Sequence, residues 1–272
     1  MNRPPWRRIG GFAAILMLSL VAAPVSAADR VEAIATRPDV TQRYWLLEPD
    51  RPPRAIAIMM LGGDGLLRFD ANGPTSQRNN FLMRIRDDML RAGFLLAYPD
   101  APSDQQGGLD NFRTDRRHAE DIKALIVTLK GRVDVPALVI GTSRGTVSAA
   151  NAAARLDPAL LAGVLLTTTV FDRTTGRIRL HSVHDLPLAD IRVPVLELHH
   201  RDDACYITLA AGVPAFLRAL TNAPRKDSVI LSGGKPAQSD ACGALAPHGF
   251  YGVQDQAART MIDWIESVLS RP

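Results

Sequence analysis

The chain of 272 residues is 46% hydrophobic and 22% charged, a composition that supports one well-buried globular domain. Its formal net charge of +4 comes from 32 basic and 28 acidic residues, and no dense Lys/Arg block is interleaved with aromatic residues. The sequence thus lacks the electrostatic footprint of a nucleic-acid-binding protein, and we expect no nucleic-acid partner.

The N-terminus has the pattern of a secretory signal. Basic residues precede an apolar run over 9–23, which is shorter than a normal membrane span, and Val25-Ser26-Ala27 offers a small-residue cleavage site. We therefore predict a signal peptide over 1–28, a single domain over 29–272 and no stable membrane span after cleavage. An uncleaved anchor or a buried helix is the alternative. The mature chain would then be periplasmic or secreted, with a net charge of about +1.

Apolar runs and helical spacing alternate along the rest of the chain. The runs predict strands over 41–48, 55–61, 94–98, 137–141, 161–170, 193–199 and 228–232. The spacing predicts helices over 80–92, near 122–129, over 144–156 and 214–220, and from 257 to 268. Strand followed by helix, repeated, indicates an α/β fold with a parallel sheet. The stretch 173–190 has no clear period and is either a short lid or an ordinary loop.

A glycine-rich turn, Gly62-Gly63-Asp64-Gly65, follows the strand predicted over 55–61. Glycine adopts conformations that other residues resist, so the pattern predicts a tight turn at this point. The turn either serves the chemistry of a site or has no chemical role.

The residues Gly141-Thr142-Ser143-Arg144-Gly145 match the pattern G-x-S-x-G between a predicted strand and a helix of small residues. In this context a strained turn lifts a serine hydroxyl clear of the sheet. Here the chain resembles the α/β-hydrolase superfamily, as an exported, bacterial-type member, from Thr41 to its end. The resemblance implies a mostly parallel sheet with helices on both faces and a minimal or absent cap domain. A helix N-cap is the alternative role for Ser143.

The same resemblance implies a catalytic triad in the chain order serine, acid, histidine, with Ser143 as nucleophile. His248 lies after the last predicted strand, where the family carries its general base. Asp203 matches the acid of the family pattern H-G-x-x-D, although His200 replaces the glycine. Asp202 and Asp172 remain alternatives for the acid.

An oxyanion hole in this family takes one amide from the residue after the nucleophile and one from the loop after an early strand. The resemblance therefore implies Arg144 and Gly63 as donors, with Asp64 as the next candidate. Leu61 stands where a histidine is common in the family, and this departure leaves the second donor open.

The two cysteines, Cys205 and Cys242, are predicted to form a disulfide, since exported chains fold in oxidising compartments. Such a bond would tie the loop of Asp203 to the loop of His248. Two buried free thiols are the alternative.

The histidines and aspartates over 199–203 also invite a metal site. Adjacent strand residues point to opposite faces, so His199 and His200 would not share an ion. We expect no metal and no cofactor.

Together these features predict an exported serine hydrolase that cleaves carboxylic esters, with a small-molecule or lipid-like ester as substrate. A serine peptidase with the same triad and a non-catalytic envelope binding protein on the same fold are the alternatives. The oligomeric state and the natural substrate are not encoded in any pattern of the sequence.

Overall fold

A computed structural model of the protein describes Met1 and residues 29–70, 73–172 and 180–270. The signal peptide predicted over 1–28 lies outside the described residues, apart from Met1. So does the part of the predicted lid or loop over 173–179. In the ranges that the structure describes, no helix is long and apolar enough to span a membrane.

The strands follow the predicted order along the chain. They are β1 (Arg30–Arg37), β2 (Val40–Leu47), β3 (Ala55–Met60), β4 (Phe69–Asp70), β5 (Gly73–Pro74), β6 (Phe94–Pro99), β7 (Ala137–Thr142), β8 (Gly163–Thr167), β9 (Val195–His200) and β10 (Lys226–Leu231). Within the described residues, eight of them form one sheet in the order β1-β2-β6-β3-β7-β8-β9-β10, and β4 pairs with β5 apart from it. In this spatial order, neighbouring strands from β6 to β10 are parallel. Strand β2 pairs antiparallel with both of its neighbours, β1 and β6. The predicted mostly parallel sheet is confirmed.

Helices cover both faces of this sheet, as predicted. They are α1 (Phe81–Arg84), α2 (Arg86–Arg91), α3 (Arg116–Lys130), α4 (Gly145–Arg155), α5 (Val213–Ala219) and α6 (Gln254–Leu269). Side chains of α3, α4 and α5 share one buried cluster with one face of the sheet, and side chains of α1, α2 and α6 share a second cluster with the other face.

The central strand β3 shows why its sequence is apolar throughout. Ile56, Ile58 and Met60 pack into the cluster of α3 and α4, whereas Ala57 and Met59 pack into the cluster of α1, α2 and α6. Successive side chains of a strand point to opposite faces, and here helices cover both. A continuous apolar run is therefore what this position requires.

Three local expectations need correction. Strand β1 was not predicted, because its burial is partial and it lies at the sheet edge. The helix predicted over 80–92 is divided at Ile85, whose φ of −95° and ψ of 4° leave helical geometry while its side chain stays fully buried. The strand predicted over 161–170 covers only Gly163–Thr167, since Thr168 has a φ of 46°.

Candidate active site

Ser143 lies in the turn between β7 and α4 with a φ of 52°, a left-handed conformation that is strained for a non-glycine residue. Its amide donates to the carbonyl of Thr167 at 3.0 Å, and its carbonyl accepts from the amide of Thr146 at 2.9 Å. The N-cap of α4 is Arg144, one residue later. Ser143 is thus held in a strained turn by backbone hydrogen bonds and does not cap the helix.

The two glycines of the motif allow α4 to approach the sheet closely. A Cβ on Gly145 would lie 2.0 Å from the carbonyl oxygen of Met60, and one on Gly141 would lie 2.5 Å from the carbonyl oxygen of Gly145. Real Cβ atoms do not come so near to other atoms, so neither position accepts a side chain without movement of the backbone.

The glycine turn, residues 62–65, packs directly against the serine. A Cβ on Gly62 would lie 2.9 Å from Cβ of Ser143 and 3.4 Å from its Oγ. Gly63 has a φ of 58° and is exposed, and the side-chain amide of Gln77 donates to the carbonyl of Gly62 at 3.2 Å. The structure thus brings together Ser143, Arg144 and the turn that holds Gly63.

His248 lies in a short 3-10 turn, Pro247–Gly249, after β10, and it is buried. Its Nδ1 is 3.0 Å from Oδ2 of Asp203. That carboxylate also accepts the Thr208 hydroxyl at 2.8 Å and the amide of Cys205 at 2.9 Å. Burial acts to raise the pKa of Asp203, but the nearby His199 and His248 rings outweigh it and hold this pKa below its ordinary value. The carboxylate is therefore charged, and both of its oxygens accept hydrogen bonds.

The alternative acids are placed differently. Asp202 and Asp172 are both exposed, and neither carboxylate bonds to His248 in the part of the chain that the structure describes. Among the candidates for the acid, Asp203 alone is joined to the histidine there.

Ser143 and His248 follow β7 and β10, two parallel strands whose carboxyl ends share one edge of the sheet. No hydrogen bond of the described residues joins the Ser143 hydroxyl to His248. Hydrogen bonds between a nucleophile and its base are often long without substrate and tighten in the reacting complex.

A disulfide joins Cys205 to Cys242 with their Cα atoms 4.5 Å apart, so the predicted disulfide is confirmed. It links the acid loop, residues 201–209, to the base segment, residues 242–250. The two loops that carry Asp203 and His248 are thus joined covalently as well as by their hydrogen bond.

The fold is shared with solved structures of hydrolytic enzymes. A thermostable carboxyl esterase from Bacillus coagulans aligns over 90% of this chain and 100% of its own, with a TM-score of 0.62 and 14% identity. A monoglyceride lipase from Saccharomyces cerevisiae aligns over 94% and 100%, with a TM-score of 0.63 and 11% identity. An acylaminoacyl peptidase from Pyrococcus horikoshii aligns over 90% of this chain but 42% of its own, with a TM-score of 0.64 and 12% identity. The chain has the α/β-hydrolase fold. No protein-family model matches the sequence, and no curated protein sequence matches it either.

Within this α/β-hydrolase fold, a buried pair that the sequence analysis did not identify lies beside the acid. His199 Nδ1 is 2.8 Å from Glu197 Oε1, and its Nε2 is 2.6 Å from the carbonyl of Thr208 and 3.6 Å from Asp203 Oδ2. Burial alone would lower the pKa of His199, but Asp203 and Glu197 raise it to about 9. The charged His199 ring therefore lies between the Asp203 carboxylate and Glu197, whose own pKa is raised by burial. In the sequence, the signal for the Glu197–His199 pair is an acidic residue, Glu197, inside the apolar run of β9.

Two further arginines support the backbone of the site. Arg84 donates to the carbonyls of Ala244, at 2.7 Å, and of Gly249, on both sides of His248. Arg113 donates to carbonyls of the glycine turn. Nothing in the sequence marked either arginine, because each contact joins residues far apart along the chain.

The metal interpretation finds no set of ligands in the described ranges, where no group of three or more His, Cys, Asp or Glu could hold an ion. His199 faces Glu197, whereas Nε2 of His200 is 3.0 Å from the carbonyl of Gly233. The two neighbouring rings serve different contacts.

Proposed function

We propose that this chain is a serine hydrolase that transfers acyl groups to water through Ser143, His248 and Asp203. The observation that carries the proposal is the buried Asp203–His248 pair on the sheet edge that also bears the strained Ser143 turn. Strain at a nucleophile costs stability and persists where a site requires it, and carboxyl groups with shifted pKa values cluster at functional sites.

In the first step, the hydroxyl oxygen of Ser143 attacks the carbonyl carbon of the substrate and its proton passes to Nε2 of His248. The Nδ1 hydrogen of His248 is donated to Asp203, which leaves Nε2 as the basic nitrogen and stabilises the imidazolium that forms. The oxyanion is bound by the amides of Gly63 and Arg144, the second at the positive end of α4.

In the following steps, the imidazolium of His248 gives its proton to the leaving alcohol, and an acyl group remains on Ser143. Water then loses a proton to His248 and attacks the acyl carbon, and the proton returns to Ser143 as the acid is released. The chain supplies every group in this cycle, and no cofactor takes part.

We propose a carboxylic ester, small or lipid-like, as the substrate. The esterase and lipase names of two structural neighbours support this class. Two large apolar side chains of the acid loop, Tyr206 and Leu209, are exposed. Their exposure supports an apolar group on the substrate. Residues 180–190 add only short 3-10 turns with buried apolar side chains, which supports an open cleft.

The test is labelling with a fluorophosphonate, which reacts with activated serines. Wild type should be labelled, whereas Ser143→Ala and His248→Ala should not, with circular dichroism of each variant as the folding control. Exposed Asp202→Ala serves as the matched substitution that keeps labelling. A folded wild type that stays unlabelled would favour the non-catalytic binding protein.

A peptidase with the same triad is the second candidate, supported by the name of the acylaminoacyl peptidase neighbour. Turnover of p-nitrophenyl esters of increasing acyl length, beside N-acylated peptides, separates the two. Hydrolysis of the peptides alone would overturn the esterase proposal.

We also propose that the protein is exported to the periplasm or beyond the cell. The basic and apolar pattern of 1–28 and the disulfide support an oxidising compartment. Fractionation of expressing cells with N-terminal sequencing of the product tests this, and a cytoplasmic, uncleaved product would overturn it.

A further inference from the structure

Arg113 is a buried cation without an acidic partner. It lies in the irregular segment between β6 and α3 and is 2% exposed. No carboxylate of the described residues forms an ion pair with it, and its Nε has no hydrogen-bond partner there. Burial lowers the pKa of Arg113 to about 10. A charge in this position is costly for the fold, and a residue of similar volume without charge would cost less.

The hydrogen bonds of Arg113 converge on the glycine turn. Its Nη2 is 3.3 Å from the carbonyl oxygen of Leu61, 3.4 Å from that of Gly62 and 3.2 Å from that of Gly63. Its Nη1 donates to the hydroxyl of Ser148 on α4 at 2.7 Å. One guanidinium thus joins three successive carbonyls to the helix that begins after the nucleophile.

These bonds, together with the one that Gln77 donates to the carbonyl of Gly62 at 3.2 Å, orient the amides of the turn. The described peptide bonds are trans, so each carbonyl and the next amide point in opposite directions. When Arg113 holds the carbonyl of Gly62, the amide of Gly63 points away from the arginine. That amide donates to no acceptor among the described residues, so it is available to a ligand.

Arg113, Ser148 and His118 form a buried hydrogen-bonded cluster in which Arg113 carries the charge. His118, whose Nε2 is 2.9 Å from the Ser148 hydroxyl, is neutral at ordinary pH because burial and the charge of Arg113 lower its pKa to about 3. A single buried positive charge behind a peptide polarises that peptide, and it attracts negative charge that develops in front of it.

We propose that Arg113 is a positioning residue that holds the glycine turn so that the Gly63 amide binds the oxyanion, and that its charge strengthens this bond. The inference rests on the proposed serine hydrolase function and extends it to a residue that does not touch the substrate. The binding of the ground-state ester changes little, because the charge of the oxyanion develops only during the reaction.

The test measures kcat and KM on p-nitrophenyl acetate for wild type, Arg113→Met, Arg113→Lys and a control. Arg113→Met should lower kcat by about 100-fold and change KM by less than about threefold. The control is Arg225→Met, which removes a partly buried arginine bonded to Ser267 at 2.8 Å. Arg225 lies before β10, at the sheet edge opposite to the one that bears Ser143 and His248. This control should change stability without this loss of kcat.

Arg113→Lys separates charge from packing. Burial lowers the pKa of a lysine far more readily than it neutralises an arginine. The lysine variant should therefore be active near neutral pH and lose kcat as the pH rises toward 9, a loss that wild type does not show. If Arg113→Met does not fold, this pH profile decides the question.

Two results would overturn the inference. One is a folded Arg113→Met variant with kcat within about threefold of wild type, and the other is an Arg113→Lys profile that follows wild type at alkaline pH. A wild type without turnover or labelling would instead overturn the proposed hydrolase function, and this inference with it.

Discussion

The acid loop and the glycine turn flank the same serine, but they are held in different ways. The acid loop is fixed by a disulfide, by three groups that bond to the Asp203 carboxylate and by the His199 imidazolium. The glycine turn is fixed by close steric contact and by hydrogen bonds from Gln77 and from the buried Arg113. The acid loop tolerates the loss of one contact because others remain, whereas the glycine turn depends on a few contacts.

The difference follows from the different roles proposed for the acid loop and the glycine turn. His248 gains and loses a charge during the proposed cycle while Asp203 stays ionised, so several dipoles and a neighbouring cation share the task of stabilising these charges. The glycine turn contributes only backbone amides, whose direction must be fixed before the oxyanion forms. A rigid backbone without bulky side chains meets that need.

The largest expected effect concerns the acid. Asp203→Asn should lower ester hydrolysis by about 10³ to 10⁴-fold, because a neutral amide neither stabilises the imidazolium nor fixes the tautomer of His248. Initial rates on p-nitrophenyl esters measure it, and exposed Asp202→Asn is the matched control with near wild-type activity. If Asp202→Asn or Asp172→Asn instead caused the loss, Asp203 would not be the acid.

The next effect concerns stability. Replacing both Cys205 and Cys242 with alanine should lower the free energy of unfolding by about 4 kcal/mol, since the bond closes a loop with a sequence separation of 37 residues. Urea denaturation of oxidised wild type beside the double variant measures it. The loss of activity should be smaller than for Asp203→Asn, because the carboxylate keeps its bonds to Thr208 and to the amide at position 205. An equal loss would mean that the disulfide, and not the bond network, positions the acid.

A smaller effect is expected at the glycine turn. Gly62→Ala would bring a Cβ to 2.9 Å from Cβ of Ser143, so the turn must shift, and kcat should fall by about 100-fold. Gly107→Ala is the matched control, since its Cβ would meet nothing within 4 Å. Steady-state kinetics at a temperature well below both melting transitions check the difference. Equal rates in the two variants would contradict the steric role of Gly62.

Much of the fold could be predicted from the sequence because the central strands are covered on both faces. Their continuous apolar runs and the intervening helical spacing mark β3, β7 and α3 plainly. Strand β1 lacked that signal, since it lies at the edge and is partly exposed, so no continuous apolar run forms. The division of the 80–92 helix at Ile85 also leaves no trace, because the buried residues keep helical spacing on both sides of it.

Of the candidate site, the sequence identified the residues that carry a recognisable pattern and left out those that support them. Ser143, Asp203 and His248 match an ordered family pattern, and the positions of the cysteines linked the loops of Asp203 and His248. Arg113 reaches the glycine turn across a separation of about 50 residues, in an irregular segment with no period. A contact of that kind depends on the tertiary path of the chain, which local patterns do not contain.

The last expected effect is a change of stability with pH, and it tests the imidazolium beside the acid loop. The pKa of His199 is about 9 in the folded protein and about 6.5 when unfolded, so its protonation stabilises the fold fully below pH 6.5. That stability, about 3 kcal/mol, should be lost as the pH rises through 9. Urea denaturation at pH 6, 7.5 and 9 measures it in wild type and in His199→Asn, which should lack this component. His200→Asn, the neighbouring substitution, should retain it. Identical pH dependence in wild type and His199→Asn would mean that the imidazolium between Glu197 and Asp203 does not form, and that the acid loop is held by the disulfide and neutral hydrogen bonds alone.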